Sequence, residues 1–358
     1  MEIFTFFKKM LRVGKVNIFI FYFRVTYRVI FGFIIALLLV KAFKIGIELL
    51  QQEDIELPLK PFIVGKNDTG FYNNETIIED SWMAVQFERQ QRLREFCAKK
   101  NLEDLPQPKF AHNWIYSNNA RVSYCSIPKV ACTTWKKLFQ VFYGRCQRVE
   151  EIEISKDDVH ELRYKYHKNI DSYTADLKTM QYFNFIIVRH PLERLVSGYR
   201  NKIEKPFTPY FQKKDGSQML RLSRKGLSEA EYRAGKGVTF HEYINYIIKT
   251  PMRKIDEHFG GMIGLCHICN VKYDFIADMS TLYNDSDIIL KLIGWYYRLR
   301  FPRSSKDSYK KDAVDIAPEY INRLSDDILN KVYEKFKDDF EAFGYKFDIK
   351  GIRNGTFY

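Results

Sequence analysis

"YCSIPKVACTTWKKLF", Tyr124 to Phe139, decides how this chain is read. Its opening residues, with Arg121–Ser123 before them ("RVSYCSI"), are β-branched and aromatic, the profile of a buried strand. Pro128 stops that strand. A helix is expected from about Ala131 to Tyr143, with Trp135, Leu138, Phe139 and Phe142 along one side. Lys129 sits in the turn, followed by Val130, Ala131, Cys132, Thr133 and Thr134. A helix start offers an anion free backbone N–H groups and the positive end of the helix dipole, and the lysine and hydroxyls add to this. The turn therefore reads as a phosphate holder. It lacks the glycines of the G-x-x-x-x-G-K-[ST] loop, and no acid ends a nearby strand in a magnesium-holding place, which argues against a nucleotide hydrolase or kinase.

A second strand–turn–helix repeats the plan. "YFNFIIVR", Tyr182 to Arg189, reads as a buried strand, His190-Pro191 makes the turn, and "LERLVSGYRNKI" continues as a helix to about Ile203. Arg189 emerges at the strand end and Ser197 follows about two helical turns on, a pair able to bind a second, separate phosphate. Two such sites suit a nucleotide phosphorylated at both its 5′ and 3′ ribose positions. "VKYDFIADM" is a third strand-like run, followed by a helix near Ser286–Gly294. Thr239 and Glu242 form a capping box for "FHEYINYIIKT". A last helix, Ser325 to Phe343, puts Ile328, Val332, Phe336, Phe340 and Phe343 on one stripe and ends at Gly344. Strands alternating with helices indicate an α/β domain with a largely parallel sheet.

Of the net charge of +13, more than half lies in residues 1–47, which hold eight Lys/Arg and one acid. "VTYRVIFGFIIALLLVKAFKIGI", Val25 to Ile47, is apolar apart from Arg28, Lys41 and Lys44, whose long stems can snorkel. It reads as a signal anchor rather than a buried core helix or a cleaved signal peptide. The basic residues precede it and Glu48, Glu53, Asp54 and Glu56 follow, which puts residues 1–24 in the cytosol and the body in the lumen. Sequons at Asn67, Asn74, Asn284 and Asn354 all follow the span, and six cysteines suit an oxidising compartment. Residues 48–111 read as a lumenal stem, with a helix capped by Ser81 whose broken apolar face is Trp82, Val85, Leu93, Phe96 and Cys97. Residues 112–358 form the catalytic body.

The four stretches "YCSIPKVACTTWKKLF", "FIIVRHPLERLVSGYRNK", "CHIC" followed by "YDFIADMSTL", and "YEKFKDDFEAFGY" resemble the Golgi carbohydrate sulfotransferases. The nearest branch contains the chondroitin and dermatan 4-O-sulfotransferases and the natural-killer-epitope sulfotransferase. The resemblance implies a P-loop-like sulfotransferase fold, a central mainly parallel sheet flanked by helices, behind an N-terminal transmembrane helix. It implies 3′-phosphoadenosine 5′-phosphosulfate (PAPS) as co-substrate without a metal, and an anionic glycan rather than nucleic acid as partner. Lys129, Val130, Ala131, Cys132, Thr133 and Thr134 would wrap the 5′-phosphosulfate, and Arg189 and Ser197 the 3′-phosphate. Lys129 would neutralise charge on the departing oxygen. O-4 of N-acetylgalactosamine is the favoured acceptor. Glucuronic acid 3-O transfer, heparan 2-O transfer and an inactive glycan-binding protein of the same fold are the alternatives. His190 and Phe259 stand where the family more often carries an acid and a tryptophan.

A sugar hydroxyl also needs a base. His258, in "DEHF", matches a family position close to the acceptor; His160, His167 and His190 are further candidates. "CHIC", Cys266 to Cys269, lacks a second close cysteine pair and reads as disulfide-forming rather than zinc-binding. "RLSRKGLSEAEYRAGKG", Arg221 to Gly237, reads as a mobile basic insertion, either solvated or part of a groove for a polyanionic glycan.

Overall fold

Phe183–Val188 has one polar side chain in six, and it forms the middle of the sheet. The computed structural model describes residues 74–102, 113–147, 181–303 and 316–358, with side chains from residue 81 onward. The Val25–Ile47 stretch, His160, His167 and Asn67 lie outside the described residues. Four strands, β1 (Trp114–Ser117), β2 (Val122–Cys125), β3 (Phe183–Val188) and β4 (Phe275–Asp278), lie side by side in chain order. β2, β3 and β4 are parallel, and β1 is an antiparallel edge on β2. The parallel part was legible as three apolar runs, each longer than the strand it yields. β1 was not foreseen, because four residues of "WIYS" carry no pattern and become a strand only by pairing with β2.

A parallel sheet must be covered on both faces. Tyr124 pairs in register with Phe185, and Phe185 with Phe275. The Tyr124 and Phe185 rings stack at 4.7 Å, and Trp135 packs on Phe185 at 4.5 Å. Each such buried ring contributes about 1.5–3 kcal/mol relative to exposure. Trp135, Leu138, Phe139 and Phe142 are buried from helix α2 (Cys132–Phe142), as its spacing predicts.

Helix α1 (Asn74–Lys99) starts seven residues before Ser81, so Ser81 does not cap it, and Val85 is exposed while Gln86 is buried. The Gln86 side chain exchanges hydrogen bonds with the Ile276 backbone, donating to its carbonyl at 3.1 Å and accepting from its N–H at 3.0 Å. An amide thus does for the open edge of β4 what another strand would do. Arg89 adds a bond to the same carbonyl and an ion pair to Asp285 at 2.8 Å. The part of the proposed stem from Asn74 to Lys99 is therefore packed as a component of the body, which as a unit begins at Asn74.

The remaining helices are α3 (Pro191–Tyr199), α4 (Ser217–Ser223), α5 (Glu229–Ala234), α6 (Phe240–Lys249), α7 (Leu282–Leu292), α8 (Asp326–Phe343) and α9 (Ile349–Arg353). α3 continues into a π-helical turn, Arg200–Glu204, and a second π-turn, Gln212–Gly216, leads into α4. The Thr239–Glu242 capping box and the left-handed Gly344 stop are present as predicted. The insertion Arg221–Gly237 is not a loose loop. It contains α5, closed by a Ser228–Glu231 capping box, and its arginines are engaged: Arg221 and Arg233 with Glu229, Arg224 with Glu242. Glu229 thus takes both Arg221 and Arg233, the latter one helical turn away, and Glu242 of α6 takes Arg224.

Two disulfides join distant segments, Cys97–Cys269 and Cys125–Cys266. The two cysteines of "CHIC" form disulfides, but with separate partners rather than each other. They fasten the turn before β4 to α1 and to the end of β2. Cys132 and Cys146 take no part in these two disulfides. Among the described residues no helix is long and apolar enough to cross a membrane.

Candidate active site

β2 and β3 are parallel neighbours, so the turns leaving their carboxyl ends emerge at the same end of the sheet, where open α/β sheets bind ligands. The first turn is built without glycine, yet Lys129 (φ +73°) and Ala131 (φ +63°) both adopt the left-handed conformation. That conformation costs a side-chain-bearing residue about 1–2 kcal/mol, and such strain gathers where function requires it. Val130, between them, is fully buried and anchors the turn. Ala131 is the N-cap of α2 and supplies no side-chain cap, and no acid occupies the first turn. A left-handed residue followed by a right-handed one makes successive N–H groups converge, which creates a concave anion site. Cys132, Thr133 and Thr134 form the first turn of α2 and are half-buried.

The Lys129 ammonium donates to Asn201 Oδ1 at 2.9 Å. Burial drives the lysine down to about 7; Cys132 opposes this, and Lys202, Arg189 and Arg194 push in the same direction as burial. An anion arriving at the turn would favour the ammonium again.

Arg189, leaving β3, is buried. It donates to the Lys129 carbonyl at 3.3 Å and faces Glu193 at 3.6 Å. Glu193 is held above the usual carboxylate range by burial, against the pull of Arg189 and the Tyr358 hydroxyl. Ser197 is buried on α3, one turn before Asn201 and so on the same face. Gly198 lets α3 approach closely: a Cβ there would meet the His258 carbonyl at 2.9 Å and the Phe259 ring at 3.0 Å. Arg194 is entirely buried and donates to the Pro128 carbonyl at 3.0 Å, the Glu257 carbonyl at 2.6 Å and the Gly260 carbonyl. One guanidinium therefore ties the Lys129 turn to the His258 segment.

His258 Nδ1 lies 2.7 Å from Asp256 Oδ1. Burial would raise the Asp256 carboxyl, but hydrogen bonds from His258 and Lys214 bring it well below its ordinary range. It is a carboxylate and accepts the Nδ1 proton, which leaves Nε2 with the lone pair. Burial holds His258 below the ordinary imidazole value, with Asp256 opposing and Lys202 assisting. His258 is thus neutral at pH 7 and oriented as a base. Lys202 acts on both His258 and Lys129.

His190 is not a base. It is fully buried among Phe340, Tyr345 and Phe357, and burial lowers it to about 3. Phe259, in place of tryptophan, packs edge-on to Tyr243 at 5.3 Å. Asp278, which ends β4, is engaged by Ser280 and Tyr345. Among the described residues no three His, Cys, Asp or Glu side chains are grouped to hold a metal ion. Two surface concavities, near Ile248–Lys335 and near Cys97–Tyr273, are lined by none of Lys129, Arg189, Ser197 and His258.

Residues 112–346 match the model of the sulfotransferase family. The chain belongs to the sulfotransferase family. It is 32% identical over 244 residues to rat carbohydrate sulfotransferase 11, covering 66% of this chain and 68% of the relative. It is 28% identical over 280 residues to zebrafish (Danio rerio) carbohydrate sulfotransferase 14, covering 76% and 75%. Human carbohydrate sulfotransferase 9 matches at 29% over 289 residues, covering 76% and 63%. No solved structure matches. The resemblance carried by the four motifs is borne out.

Asn201, Arg194, Asp256 and Lys202 escaped the sequence reading. Asp256 had a signal, an acid two residues before a candidate base. Arg194 had another, a lone arginine within the first two turns of a helix, flanked by Leu192, Leu195 and Val196.

The Arg189–Glu193 pair gives a stability prediction. Arg189→Ala leaves a carboxylate buried without its cation and should cost about 3–5 kcal/mol in urea denaturation. Adding Glu193→Gln should recover more than half of that loss. An unchanged urea midpoint in Arg189→Ala would show that the pair does not support the fold.

Proposed function

We propose that this sulfotransferase moves a sulfuryl group from PAPS to a glycan hydroxyl, O-4 of N-acetylgalactosamine in chondroitin or dermatan. The observation that carries the proposal is a lysine in a strained helix-start turn tied, through Arg194, to a neutral histidine whose tautomer is set. The relatives' names support a carbohydrate acceptor. The particular sugar rests on the motif resemblance to the chondroitin and dermatan branch.

The residues present fit PAPS. The uncapped start of α2, with Lys129 and the hydroxyls of Thr133 and Thr134, would hold the phosphosulfate. Arg189 and Ser197, on the neighbouring β3–α3 turn, would hold the 3′-phosphate. PAPS supplies the sulfuryl group and a phosphate leaving group. Lys129 places positive charge where negative charge grows on the departing oxygen, an interaction that strengthens toward the transition state. Asn201 aims the ammonium. His258 Nε2 takes the proton of the attacking hydroxyl, Asp256 holds the ring in that tautomer, and Lys214 holds Asp256 at 2.7 Å.

The body is proposed to face the Golgi lumen, behind a single span at Val25–Ile47 with the amino end in the cytosol. The two disulfides and the exposed position of Asn284 and Asn354 support that placement.

Two outcomes test this reading. Protein made in animal cells should gain gel mobility on glycosidase treatment, and Asn354→Gln should remove one step of that shift; a body that carries no glycan and is digested by protease outside sealed microsomes contradicts the lumenal placement. Lys129→Ala should bind adenosine 3′,5′-bisphosphate within about tenfold of wild type yet lose about 10²-fold or more in turnover, the scale of one lost charge-stabilising donor. Lys129→Arg should also be poor, since a planar fork does not replace a compact ammonium in a tight turn. Turnover near wild type in Lys129→Ala would make the lysine structural and overturn the mechanism.

A further inference from the structure

The segment between the two π-turns, "KPFTPYF" (Lys205–Phe211), carries an unusual surface. Phe207 is 72% exposed and Tyr210 is 58% exposed. Large aromatic rings left in water beside a candidate active site mark a contact surface. The segment also reaches the candidate base. The Phe211 ring meets the His258 ring edge-on at 5.0 Å, and Tyr210 meets Phe211 at 5.1 Å. Tyr210 is thus about one ring beyond the residue next to His258.

Cations surround these rings. The Lys202 ammonium lies 4.5 Å from the Phe211 centroid, and Lys214 lies 5.7 Å from Tyr210. Lys205 and Lys213 are exposed on either side of the aromatic run. Three of the acids nearby are engaged or buried: Glu204 accepts from the Tyr320 hydroxyl, Asp256 pairs with Lys214, and Asp215 is buried, while Glu257 acts on Lys202. The contrast with Arg221–Gly237 is informative, because there Arg221 and Arg233 share Glu229 and Arg224 is paired with Glu242 of α6.

Resting on the sulfotransferase reading above, we infer that Phe207, Tyr210, Lys205 and Lys213 form an acceptor subsite for an acidic sugar, the uronate next to the sugar that is sulfated. The apolar face of a pyranose ring can lie on Tyr210, as amphipathic ligands lie on exposed aromatic faces. Its carboxylate would meet the lysines, whose field also attracts a polyanionic chain from solution. The spacing fits an acceptor chain: one sugar presents its hydroxyl to His258 and its neighbour rests on Tyr210.

The experiment measures sulfate transfer from PAPS to chondroitin and to carboxyl-reduced chondroitin, alongside binding of adenosine 3′,5′-bisphosphate. Wild type should show a KM for the reduced chain about tenfold above that for chondroitin, and Tyr210→Ala should raise KM for chondroitin about tenfold, the scale of one lost ring contact with its charge partner. Lys213→Glu should raise KM for chondroitin and narrow the gap between the two acceptors. Nucleotide affinity should stay within about twofold, because no residue of the subsite belongs to the nucleotide turns. If wild type transfers sulfate but both variants keep KM for chondroitin within about twofold, the subsite is wrong and the sulfotransferase reading stands. If wild type binds the nucleotide but sulfates neither polymer, the uronate subsite and the chondroitin reading fall together.

Discussion

The buried guanidinium of Arg194 is the contact on which the site depends. It projects from α3 and donates to carbonyls of two segments far apart in sequence, Pro128 before the phosphate turn and Glu257 and Gly260 around the base. Hydrogen bonds from a charged group contribute about 1.5–3 kcal/mol each, and these bonds spend most of the donor capacity of a side chain that has no water to fall back on. Asp339 supplies the nearest opposing charge in its surroundings and is itself bound by the Met262 and Ile263 N–H groups. α8 is thereby coupled to the same arrangement. The Lys129 turn and the His258 segment are thus held by one helix rather than by separate loops.

That helix also governs the position of Lys129. Asn201 reaches Lys129 from the π-turn that extends α3, and Gly198 permits the close approach of α3 to His258 and Phe259. π-turns often occur where a helix must present a side chain out of its regular phase. The result is a site of dense positive charge, with Lys202, Arg189 and Arg194 all acting on the buried Lys129. Such an arrangement is unfavourable by itself and becomes favourable with an anion, so the strain at Lys129 and Ala131 and the crowding of cations have one explanation.

The sequence revealed the nucleotide side better than the acceptor side, for a physical reason. A strand that turns into a helix is local, so the Lys129 turn, α2, β3 and α3 could be read from apolar runs and Pro placement. Lys129 and Arg189 meet because β2 and β3 are parallel neighbours, and that also follows from alternating strands and helices. The acceptor side is assembled from contacts between distant segments. The role of Asp256 depends on the turn that brings it to His258, and the edge strand β1 exists only through its partner. Gln86 reads as a polar break in an amphipathic helix until β4 is beside it. His190 was an open candidate because its burial among Phe340, Tyr345 and Phe357 joins residues more than a hundred positions apart. The Arg221–Gly237 segment is less free than its composition suggests because Glu229 and Glu242 take its three arginines, and Glu242 lies outside the segment.

The central claim is that Lys129 waits in a dry, cationic turn and gains its full charge from the nucleotide. Proton uptake on binding tests it directly. Titration calorimetry of adenosine 3′,5′-bisphosphate at pH 8, in buffers of different ionisation enthalpy, measures that uptake. With Lys129 at about 7 in the free protein, most molecules lack the proton at pH 8, and an adjacent anion should restore it. The expected result is uptake of about one-half to one proton, falling toward zero at pH 6 for this group and abolished in Lys129→Ala. Binding at pH 8 with no uptake, or with the same uptake in Lys129→Ala, would contradict it.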